Sequence, residues 1–89
     1  MVRRERWSVI GDILSAIQNE RSRGMAPRIS NVAARANVAY DRLDPYLAEL
    51  ESAGLIMRDS AFPEVTAKGH EFLRHYRTWT AVLDDFGLS

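Results

Sequence analysis

Residues 31–56 read NVAARANVAYDRLDPYLAELESAGLI, and two helical patterns meet there at Asn37. In the first, Val32, Ala33 and Ala36 face inward on a short helix over 31–36, with Ser30 placed to cap it. Asparagine tolerates the left-handed backbone that a tight turn demands, so Asn37 suits the turn, and Val38 plugs the core beneath it. In the second, Leu43, Leu47 and Leu50 recur at i, i+4 and i+7, which predicts a helix from about 40 to 53. Gly54 falls where a left-handed residue stops a helix, and Leu55 can then touch Leu50 as in a Schellman cap. Two residues disturb the pattern. Ala39 is a poor cap, and Pro45 inside a helix costs about 3 kcal/mol, a penalty that mostly disappears within a first turn. One arrangement accommodates the proline: a looser first turn, with the regular helix starting at Asp44 as its cap.

Outward from this stretch the chain is similarly legible. Trp7, Ile10, Ile13, Leu14 and Ile17 are spaced by three or four residues, predicting an amphipathic helix over 5–20. The polar run NERSRGMAPRI, with Gly24 and Pro27, reads as a loop that holds Arg21 and Arg23. Residues 55–58 (LIMR) and 62–66 (FPEVT) are short strand candidates around a turn at Asp59-Ser60-Ala61. Thr66 can cap a last helix over 67–86, with Gly87 and Leu88 repeating the stop signal. With 89 residues and no internal repeat or linker, the expectation is one domain over 1–89, mainly α with a small β-hairpin.

Composition narrows the functional classes. Hydrophobic residues at 46% and charged residues at 27% are ordinary for a globular chain. The absence of cysteine removes disulfides and thiolate metal sites. No apolar run approaches the roughly 20 residues that a membrane span needs, and Asp12 interrupts any leader-like stretch. A cytoplasmic location is expected. Net charge is +0, yet it is unevenly spread. Residues 1–42 hold eight arginines against four acids, a surplus of +4, and residues 43–89 hold four bases against eight acids, −4. That asymmetry suits either a polyanion-binding face or solvated surface charge.

The segments RRERWSVIGDIL (3–14), RANVAYDRL..YL.EL...GLI (35–56) and VTAKGHEFL (65–73) resemble the archaeal winged helix-turn-helix DNA-binding family, which includes small chromatin proteins and single-domain transcription regulators. The resemblance covers about residues 3–76. It implies a three-helix core, a two-stranded wing, a long C-terminal helix, binding of double-stranded DNA and dimerisation through the last helix. Two positions depart from the family pattern: Ala39 replaces the usual hydroxyl cap, and Asp44-Pro45 stands where basic residues are common.

In helix-turn-helix proteins the second helix of the pair enters the major groove. Carried onto this chain, the reading positions fall at residues 39–42 and 44–46, with Arg42 the candidate for bidentate contact to guanine. Tyr40 and Tyr46 are candidates to donate to phosphate, with partial burial the alternative for both. Asp41 and Asp44 suit a helix start electrostatically but repel phosphates, although aspartate can accept from cytosine N4. Arg28 and Arg35 flank the preceding helix as phosphate contacts, Arg3, Arg4 and Arg6 form an N-terminal arm, and Arg58 stands at the base of the wing.

Along the last helix, Phe72, Tyr76, Trp79, Leu83 and Phe86 follow heptad spacing. Tyr76, Trp79, Leu83 and Phe86 are the candidate dimerisation residues, and complete folding-back onto the domain is the alternative. His70 and His75, five residues apart, do not share a helical face, and no metal-ligand, phosphate-loop or nucleophile pattern appears. The sequence therefore points to a non-enzymatic DNA-binding protein without metal, cofactor or evident small-molecule effector: a homodimeric transcription regulator or a nucleoid-associated architectural protein. A winged-helix protein-interaction module is the alternative.

Overall fold

The apolar spacing near the N-terminus builds helix α1, Arg6–Ser22, in a computed structural model that describes residues 5–58 and 61–88. Ile13, Leu14 and Ile17 are fully buried and belong to one continuous core cluster. Helix α2 covers Ile29–Ala36 and helix α3 covers Tyr40–Ser52. Strands β1, Ile56–Met57, and β2, Glu64–Val65, pair antiparallel with Ile56 opposite Val65. Helix α4, Ala67–Asp85, completes the expected order of three helices, wing and long last helix.

The core draws on every element. Val32, Ala33 and Ala36 from α2, Leu43, Leu47 and Leu50 from α3, Ile56 and Val65 from the wing, and Leu73 from α4 join the α1 stripe. Asn37 adopts the left-handed conformation (φ 55°) expected at the turn, and Val38 packs partly buried below it. At the end of α3, Leu55 N donates to Leu50 O and Gly54 N to Glu51 O, the two bonds of a Schellman motif. Gly54 has φ 80°, a value an L side chain rarely accepts.

Several local expectations are corrected. Helix α2 begins at Ile29, with Arg28 extended at its cap position, so Ser30 is an exposed residue inside the helix and not its cap. Ile29 packs against the core, and an earlier start is what brings it there. Second, α3 does not begin at Asp44. Arg42 N and Leu43 N both donate to Ala39 O, so the first turn is regular. Leu43 is fully buried, and unwinding that turn would expose it. Pro45 thus lies in the second turn, where its missing N–H leaves the Asp41 carbonyl without its helical partner. Both residues are exposed, so water can satisfy that carbonyl.

Third, the strands are shorter than 55–58 and 62–66, and Arg21 and Arg23 do not share a loop. The Leu55 amide is spent on α3, and Pro63 has no N–H to offer a ladder. Arg21 lies in the last turn of α1, half-buried, donating from Nε to Pro63 O (2.9 Å) and from Nη2 to Phe62 O (3.3 Å). It ties the wing to α1. Asp59 and Ser60, part of the expected turn, fall outside the described residues.

Thr66 caps α4 as expected: its Oγ1 accepts from Gly69 N (3.1 Å) and donates to Gly54 O (2.6 Å). Lys68 Nζ adds a bond to Ala53 O (2.8 Å), so the start of α4 also satisfies carbonyls at the end of α3. Where α4 crosses α1, the Tyr76 ring lies so near Gly11 that a Cβ there would sit 2.1 Å from Cδ1. Only glycine permits this approach. Tyr76 also donates its hydroxyl to Asp12 Oδ1.

Candidate nucleic-acid interface

Burial of Leu43, Leu47 and Leu50 fixes which way the rest of α3 points. At 3.6 residues per turn, Asp41, Pro45, Ala48 and Ser52 occupy the middle of the outward face, and all four are exposed. Arg42, Tyr46 and Glu49 form the edge facing the start of α1. There Arg6 and Arg42 line one cleft of about 690 Å³ together with Asn37, Ala39 and Tyr46, and Arg6 Nη2 pairs with Glu49 Oε1. Tyr40, Asp44 and Glu51 form the opposite edge, where Arg58 Nη2 from the wing lies 3.6 Å from Asp44 Oδ1.

The charge on α3 is unusual for a helix that would face a polyanion. Asp41, Asp44, Glu49 and Glu51 stand against Arg42 alone. Two of those acids are matched from outside the helix, Glu49 by α1 and Asp44 by the wing. Such exposed pairs contribute little to stability, and salt screens them. Among the described residues Arg42 has no acidic partner.

The remaining expected contacts are dispersed. Tyr40 is 64% exposed at the start of α3, beside exposed Asp41, whereas Tyr46 packs partly buried against the core. Arg28 is exposed at the start of α2. Arg35 has another engagement: its Nε donates to Oε1 of Glu20, a carboxylate only 1% exposed, although 40% of the Arg35 side chain remains accessible. Arg3 and Arg4 lie outside the described residues. Arg6, expected in an arm with them, is the first residue of α1. Sequence reasoning missed the pairing roles of Glu49 and Glu20, because their partners sit on other elements and leave no local spacing signal.

A family model described as winged helix-turn-helix matches residues 3–83. The chain belongs to the winged helix-turn-helix family. The match bears out that part of the sequence resemblance, while the archaeal element remains a likeness only. Among curated proteins and solved structures, none matches the chain. In winged helix-turn-helix terms, α2 and α3 are the helix pair and the β1–β2 hairpin is the wing. No helix among the described residues is long and apolar enough to cross a membrane.

The winged helix-turn-helix core leaves much of α4 uncovered. Trp7 packs edge-on against Tyr76 and Trp79, with ring centroids 6.0 and 6.3 Å apart. Tyr76, a candidate dimerisation residue, is thus engaged within its own protomer. Beyond it Trp79 is 48% exposed and Phe86 75%, with Leu83 half-buried, so the helix does not fold back to bury the whole stripe. His70 and His75 are exposed on the same helix.

Proposed function

We propose that the chain binds double-stranded DNA as a homodimeric transcription regulator or architectural protein, with α3 docked in the major groove. The observation that carries this reading is the placement of Arg42. It is exposed at the edge of α3 and without an acidic partner among the described residues, with Arg6 on one side and Arg58 on the other. In this reading Arg42 meets guanine, Tyr40 donates to phosphate, and Asp41 accepts from a cytosine amino group. Arg28, Arg35 and the arm at Arg3 and Arg4 hold the backbone, and Arg58 follows the wing. Trp79, Leu83 and Phe86, next to Tyr76, form the contact with a second copy. A cytoplasmic, nucleoid-associated location goes with this reading.

Titration of a fluorescent duplex across a salt series tests it. Binding should weaken as salt rises, with a log–log slope of about −0.9 for each phosphate neutralised. A folded protein that fails to bind at low ionic strength would overturn the reading. The four acids on α3 favour a second one, a winged-helix module that docks a protein partner. Under it, the double change Asp41→Lys and Asp44→Lys abolishes capture of that partner. Under the DNA reading the same change strengthens duplex binding.

A further inference from the structure

Two of the acids at the flanks of α3 each hold an arginine that comes from a different element. Glu49 holds Arg6 from α1, and Asp44 holds Arg58 from the wing. These arginines stand on opposite sides of the helix, where the backbones bordering a groove would pass. The carboxylates therefore occupy, toward each guanidinium, the place that a phosphate oxygen would take. We propose that Glu49 and Asp44 are selectivity residues: internal phosphate mimics that keep Arg6 and Arg58 from contributing to non-specific DNA binding. The inference rests on the DNA-binding reading.

Non-specific binding consists almost wholly of phosphate neutralisation with counterion release. An arginine that keeps its carboxylate releases no counterion from DNA, and the carboxylate adds repulsion at the groove edge. Random duplex thus meets Arg42 and the more distant arginines only. A preferred site offers contacts strong enough to exchange the pairs, and Arg6 and Arg58 then move to phosphate. Arg6, Glu49 and Asp44 are exposed at 59%, 50% and 72% of their side chains, and Arg58 at 31% is partly buried but lies outside the core cluster, so exchange requires no repacking of the core.

The test uses the full chain, a fluorescent random-sequence duplex pool and a salt series. Glu49→Gln and Asp44→Asn keep side-chain size at exposed positions, so both variants should fold. Each should bind the random pool roughly three- to tenfold more tightly, with a log–log salt slope steeper by up to about 0.9. Glu51→Gln is the discriminating control, because Glu51 is an exposed acid on the same helix with no cationic partner among the described residues. It should leave the slope unchanged. Arg6→Gln combined with Glu49→Gln should cancel the gain that Glu49→Gln gives alone. Equal behaviour of wild type, Glu49→Gln and Asp44→Asn, or an equal gain in Glu51→Gln, would overturn the inference while leaving DNA binding intact. Failure of wild type and all variants to bind at low salt would overturn the DNA reading, and the inference with it.

Discussion

Two arginines, Arg42 and Arg35, show how far a residue's function depends on its neighbours. Arg42 is exposed and without an acidic partner among the described residues. On the DNA reading, Arg42→Ala removes one bidentate base contact, costing about 1–3 kcal/mol of discrimination. Competition between a selected site and random duplex measures this directly; an unchanged ratio would remove Arg42 from the readers. Arg35 is equally basic in sequence, but its Nε serves the buried Glu20, whose Oε2 has no hydrogen-bond partner among the described residues. Removing it would strand a buried carboxylate. Arg35→Ala is therefore expected to destabilise the fold by about 3 kcal/mol, read as a lower urea midpoint, in addition to any loss of DNA affinity. A midpoint unchanged from wild type would assign Arg35 to the surface alone. Nothing local to RANVA announces Glu20 as its partner, since the pair forms only when α2 docks on α1.

At the scale of elements, the helix stops at Asn37 and Gly54 and the cap at Thr66 were legible, whereas the caps read at Ser30 and Asp44 were not. Gly54 and Asn37 take the left-handed conformations that their residue types favour, and the closing bonds follow from local chain geometry. The starts at Arg28 and Ala39 have no side-chain cap, and burial of Ile29 and Leu43 decides where those helices begin. Helix α3 consequently carries two local penalties, an uncapped start and a proline in its second turn. Ala39→Ser should supply the missing acceptor and stabilise the protein by about 1 kcal/mol. Pro45→Ala should restore the bond to the Asp41 carbonyl, for a gain of about 1–3 kcal/mol. Urea unfolding checks both, with a higher midpoint and an unchanged slope expected. If Pro45→Ala lowered the midpoint, the proline would be relieving some other strain.

For the whole molecule, the decisive feature is the apolar surface that α4 carries past the core. In an isolated protomer Phe86 and Trp79 are too exposed to add much to folding, and burying each against a second copy is worth roughly 1.5–3 kcal/mol. Sedimentation at several concentrations should show a dimer. The double change Val82→Asp and Phe86→Ser should give a folded monomer, because both side chains are exposed in the protomer. Both tryptophans of the chain, Trp7 and Trp79, lie on this face, so their emission should shift to the red on dissociation. A wild-type monomer at high micromolar concentration would refute the dimer. Determined by sequence alone were the helix stripes, the turn at Asn37, the stops at Gly54 and Gly87, and the order of helices and wing. Periodicity and turn chemistry are local, and a single chain displays them openly. Only the tertiary structure decided which arginines are paired, that the first turn of α3 is regular ahead of Pro45, and that Tyr76 is spent on Gly11 and Asp12. Ion pairs and close packing join residues distant in the chain, and their energies arise only once the core has brought those residues together.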